Sequence, residues 1–75
     1  MESSLLAYLH EQLRFENAER LVLCRKHGVS SLQELDQLLV MGEVDEETIL
    51  EDFQRIDYLT HRVRRLRELL EQLDE

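Results

Sequence analysis

Cys24 and His27 stand in a Cys-x-x-His spacing, which can bring a thiolate and an imidazole onto one metal ion. A structural zinc site takes four such ligands, and the chain offers no second Cys and only His10 and His61 besides. The same shortage argues against a Cys–His nucleophilic pair, because no third orienting group or oxyanion donor accompanies it. There is no Gly-rich phosphate loop and no His-x-x-x-His helix. These residues indicate no catalytic, cofactor-binding or metal site, so the expectation is a non-enzymatic protein. Cys24 then reads as a buried thiol, and His27 as a residue at the C-terminal end of a helix.

Charge is the second candidate chemistry. His61-Arg62-Val63-Arg64-Arg65-Leu66-Arg67 places four arginines in six residues, enough to neutralise several phosphates. Glu68, Glu71, Asp74 and Glu75 follow at once, and no aromatic is interleaved to stack a base. The run fits a solvated helix face or a dock for an acidic partner helix better than it fits direct nucleic-acid contact. Glu43 to Asp52 holds six acids and no base, without the Asp-x-Asp-x-Asp-Gly spacing of a calcium loop. Acids so placed suit the positive end of a helix dipole.

The elements that must position these groups are helices. Ile49, Ile56, Val63 and Leu70 fall seven apart, as do Leu59, Leu66 and Leu73 three positions later. That 3.5-residue repeat makes a narrow apolar seam which another helix must cover. Asp45 caps its start and Val44 staples to Ile49, so a helix is predicted over 46–74. Glu51–Arg55, Arg64–Glu68 and Arg67–Glu71 are available as i,i+4 pairs on its surface.

Upstream, Leu6, Leu9, Leu13, Leu21 and Cys24 mark the buried stripe of a helix over 4–27, broadened by Leu5, Tyr8, Phe15, Ala18 and Val22. Ser3 or Ser4 is the expected cap, and Gly28 supplies the left-handed stop. Ser30 with Gln33, or Ser31 with Glu34, forms a capping box for a short helix over 31–41. That helix carries Leu32, Leu35, Leu38 and Leu39 on one face.

The predicted fold is therefore all-α, with three helices in long, short, long order. It is a helical hairpin or three-helix bundle in one domain, 1–75, with a coiled-coil-like third helix. The Ile49–Leu59 half of the seam is expected to close this bundle. The Val63–Leu73 half, bordered by arginines, is expected to meet a partner helix, a second copy of the chain included. Ile56, Leu59, Val63, Leu66, Leu70 and Leu73 should carry that contact, with Arg62, Arg64, Arg65 and Arg67 setting its orientation.

Composition sets outer bounds. A chain of 75 residues is marginal as a monomer unless its helices pack well. A charge of −8 repels nucleic acid and anionic membranes. No apolar run approaches the ~18 residues of a membrane span. A single cysteine and a Met-Glu-Ser-Ser start without a basic region point to a cytoplasmic protein.

Asn17-Ala18-Glu19-Arg20-Leu21, Leu23, and then Lys26-His27-Gly28-Val29-Ser30-Ser31-Leu32-Gln33-Glu34-Leu35 lead into a long charged amphipathic helix. This phrase resembles the helical C-terminal part of mobilisation relaxases from conjugative elements of Gram-positive bacteria, and the likeness spans 17–74. The resemblance implies a non-catalytic accessory region. That family's strand-cleaving tyrosine and metal-binding histidines belong to a separate domain, and neither Tyr8 nor Tyr58 sits in a matching context. Helix packing is thus the leading function, with an accessory nucleic-acid-binding element using the Arg62–Arg67 cluster as the alternative.

Overall fold

The computed structural model describes residues 2–42 and 44–74. Three helices form in chain order: α1 (Glu2–Lys26), α2 (Leu32–Val40) and α3 (Glu46–Asp74). The long–short–long expectation holds, and the ends fall within two residues of those predicted. Ser3 and Ser4 are helical and lie inside the first turn of α1, so neither is the cap. Glu43, the first of the acidic run, lies outside the described residues.

Each junction is made by local hydrogen bonding. Gly28 takes φ +70°, and its N–H donates to Arg25 O at 3.0 Å while Val29 N–H donates to Cys24 O at 3.0 Å. These two bonds form the Schellman motif, which satisfies carbonyls that the end of a helix leaves unpaired. Ser31 caps α2, its Oγ accepting from Glu34 N–H at 3.2 Å. Glu34 reaches back to accept from Ser30 N–H at 2.7 Å, one residue before the cap. At α3, Asp45 Oδ1 accepts from Glu47 N–H at 3.1 Å, and Val44 packs into the cluster that contains Ile49.

α1 and α3 run antiparallel along a rod 49 Å long and 16–17 Å across. α2 has nine residues, about 14 Å of helix. It packs on α3 at the loop end only. There Cys24, Val29, Leu35, Ile49 and Ile56 form one buried cluster, with Leu23, Leu32, Leu38, Leu39 and Phe53 packed around it. At the far end a second cluster joins Leu9 of α1 to Leu66 and Leu70 of α3, flanked by Leu6, Leu13 and Leu69.

Two sequence expectations are corrected here. Val63, Leu66 and Leu70, expected at an external contact, are buried inside the chain, as are Ile56 and Leu59. α1 is long enough to cover the seam almost to its end, and only Leu73 is left about half exposed. Leu5, Tyr8, Phe15, Ala18 and Val22 do not broaden the α1 stripe, because all five are exposed. At about 100° per residue, Tyr8, Phe15 and Val22 share one line on α1, about 100–180° from Leu9 and Leu13.

Candidate functional site

The two members of the Cys-x-x-His pair have different partners. Cys24 is buried in the loop-end cluster, and burial pushes its thiol above the usual value, which keeps it protonated and unreactive at neutral pH. The His27 side chain is mostly covered and turns to α3, where Asp52 Oδ2 accepts from His27 Nε2 at 2.9 Å and from Lys26 Nζ at 2.7 Å. Among the described residues no three of His, Cys, Asp and Glu converge as metal ligands would.

The arginine run is also split by helical geometry. Arg62 crosses to α1 and clamps Glu16 with two parallel bonds, Nε to Oε1 at 2.9 Å and Nη2 to Oε2 at 3.1 Å. Glu16 is only 8% exposed and sits on α1 between the two apolar clusters. Arg55, expected to pair with Glu51, instead grips Glu19 through Nε at 2.7 Å and Nη2 at 3.1 Å, and its guanidinium lies 5.2 Å from the Tyr58 ring centre. Arg65 sits 3.7 Å from Glu68. Arg64 and Arg67 line an open cleft of about 410 Å³ with Arg20, Thr60, Val63, Glu68 and Glu71. Arg20 is held there by Asn17 Oδ1, which accepts from Nε at 3.2 Å and Nη2 at 2.9 Å.

These cross-helix pairs set an acid limit on stability. Hydrogen bonds from Lys26 and then His27 hold the Asp52 carboxyl below its ordinary value, and a hydrogen bond from Arg55 does the same for Glu19. A carboxylate depressed by folding stabilises the native state above its unfolded value, near pH 4, and the gain is lost as pH falls through the folded value. The melting temperature should therefore hold from pH 7 to about 5 and drop below about 4. Asp52→Asn should flatten part of that drop. Superimposable acid profiles for the variant and the wild type would contradict the assignment.

A further surface is marked by burial rather than charge. Of the four aromatic residues, Tyr8 is 58%, Phe15 68% and Tyr58 51% exposed, and Val22 is 63% exposed. Tyr8, Phe15 and Val22 are seven apart along α1. Tyr8 and Tyr58 both lie within electrostatic reach of Arg62, and Tyr58 lies under Arg55. Tyr8 and Tyr58 therefore flank the cross-helix pairs, while Phe15 and Val22 lie farther round α1 on the side turned away from α3. α2 packs on the other side of α3, where Leu32 and Asp36 share a groove with Phe53, Thr60 and Arg64. Contiguous exposed aromatics next to arginine are the composition of a protein-binding surface. The seven-residue spacing of Tyr8, Phe15 and Val22 was visible in the sequence, as a second stripe separate from the leucines.

The whole chain, residues 1–75, matches the family described as "Uncharacterized protein MJ0235 family". The chain belongs to that family. No curated protein and no solved structure matches it. Membership in the MJ0235 family carries no link to relaxases or conjugation. The phrase that suggested one is explained locally: Lys26 to Leu35 spells a Schellman stop at Gly28 followed by a helix start capped by Ser31 and Glu34. Among the described residues of this MJ0235 family chain, no helix is long and apolar enough to cross a membrane.

Proposed function

We propose that the chain is a non-catalytic helical module for protein–protein interaction or oligomerisation. The observation that supports this best is the exposed aromatic face. In a chain with only four aromatic residues, three stand more than half exposed, and one of them, Tyr58, lies against an arginine already paired within the chain. Aromatic rings left in water at this density lower free energy when a partner covers them.

The leucine and isoleucine seam supports the scaffold instead, because its side chains are already buried. The alternative, a nucleic-acid-binding element, has less support. Arg62 is committed to Glu16, and Glu68 and Glu71 share the cleft with Arg64 and Arg67. A −8 chain adds long-range repulsion of any polyanion.

The test is site-specific photo-crosslinking in cells that make the protein. A benzophenone side chain in place of Phe15 should give discrete adducts. The same group at Val40, still more exposed but on α2, should not. Equal labelling patterns at the two positions would defeat the proposal.

A further inference from the structure

We infer that α2, with the turns that flank it, is a lid. It comes off α3 as one cooperative unit while the α1–α3 hairpin stays folded, and so uncovers Cys24 and the Ile49, Phe53 and Ile56 flank of α3.

The long helices and the short one are held by different forces. α1 and α3 are tied at three levels by charged hydrogen bonds, from Lys26 and His27 to Asp52, from Arg55 to Glu19 and from Arg62 to Glu16. The cluster of Leu9, Leu66 and Leu70 closes the far end of the rod without any residue of α2. α2 has no tie of the first kind. Among the described residues, the hydrogen bonds of 30–42 stay inside that segment: Glu34 with Ser30 and Ser31, Leu35 with Ser31, Met41 with Gln37 and Gly42 with Leu39. Apolar contact alone fixes α2, through the fully buried Leu35 and the partly buried Leu32, Leu38 and Leu39. Opening therefore breaks no hydrogen bond between elements, and its cost is the apolar surface returned to water.

Backbone freedom offsets part of that cost. Nine residues do not stay helical alone in water, so the released segment regains conformational entropy. Gly28 and Gly42 stand at its two ends with φ +70° and +72°, and a Cβ added at either would meet nothing within 4 Å. Each glycine is there for its backbone angle, and nothing packs where its side chain would be. Local opening in such units is how native proteins expose part of a core without unfolding.

Cys24 reports the opening. It is 1% exposed, shares the loop-end cluster with Leu35 and lies within electrostatic reach of Glu34 in the first turn of α2. It is also the one cysteine of the chain.

The test is alkylation of the full chain by excess iodoacetamide under native conditions, with urea raised in steps below the unfolding transition. The reagent reaches the thiol only when it is uncovered, so the rate measures the fraction open. In water, labelling should be at least ~10-fold faster than global unfolding, followed by circular dichroism, allows. Its urea dependence should be less than about half the global one, because only α2 gives up its contacts. Leu35→Ala should speed labelling roughly 30-fold or more. Leu9→Ala, which loosens the far end alone, should leave the rate in water unchanged. A rate no faster than global unfolding allows, a full global urea dependence, or equal acceleration by the two variants overturns the lid. The wild-type urea dependence decides the matter even where a variant fails to fold.

Discussion

Replacing Val63 and Leu66 together by Asp is expected to unfold the chain, not merely to separate copies of it. Both side chains are almost fully buried within a single molecule, at 3% and 2% exposure. Each substitution removes an apolar side chain and places an unpaired carboxylate where water cannot reach it, at a cost of several kcal/mol. A 75-residue domain has about 4–11 kcal/mol of stability in total. Circular dichroism should show most of the helix lost at 25 °C. A double variant that keeps native helicity and only lowers the solution mass would mean that the seam is intermolecular after all.

The seam shows how far the sequence could be read. A 3.5-residue repeat states that something must cover Ile49 through Leu70, and the structure agrees. It does not state what. At Leu66 and Leu70 the covering side chains, Leu6, Leu9 and Leu13, lie about 60 residues away in the chain, and no local pattern tells how far one helix slides along another. Helix ends were legible because they are local: Gly28, Ser31 with Glu34, and Asp45 each solve a hydrogen-bonding problem within five residues. The ion pairs were not. Arg55 had Glu51 available on its own helix, yet it crosses to α1 as Arg62 does, where the guanidinium can take both oxygens of one carboxylate. Hydrophobicity alone makes the α1 stripe look wider than it is, because Tyr8, Phe15 and Val22 are apolar but their angle on the helix turns them from the leucines.

Leu35→Ala is expected to cost about 2–5 kcal/mol, the range for truncating a fully buried leucine. Leu35 has no exposed surface and is the one buried residue of α2, so it pins that short helix to the Ile49–Ile56 stretch of α3. Nine residues are too few to stay helical unaided in water. The variant should therefore lose amide protection across α2 first, while amides around Leu9 and Leu66 at the other end of the rod keep theirs. Urea denaturation gives the free energy and hydrogen exchange gives its distribution. A cost below about 1 kcal/mol would show that α2 is held by other contacts.

The Glu16–Arg62 clamp has a consequence that concerns information more than energy. Apolar residues that recur every seven positions look alike after a slip of seven, so leucines alone leave several alignments of the two long helices nearly degenerate. The clamp removes that degeneracy. One slip of α3 along α1 would bring Arg55 to Glu16 but carry Arg62 down to Leu9 and pull Asp52 away from Lys26 and His27. The opposite slip would set Glu16 against Leu69 and Arg62 against Leu23. Either way a charge that now has a partner is stranded on an apolar surface. The leucines hold the two helices together, and one buried carboxylate numbers their residues.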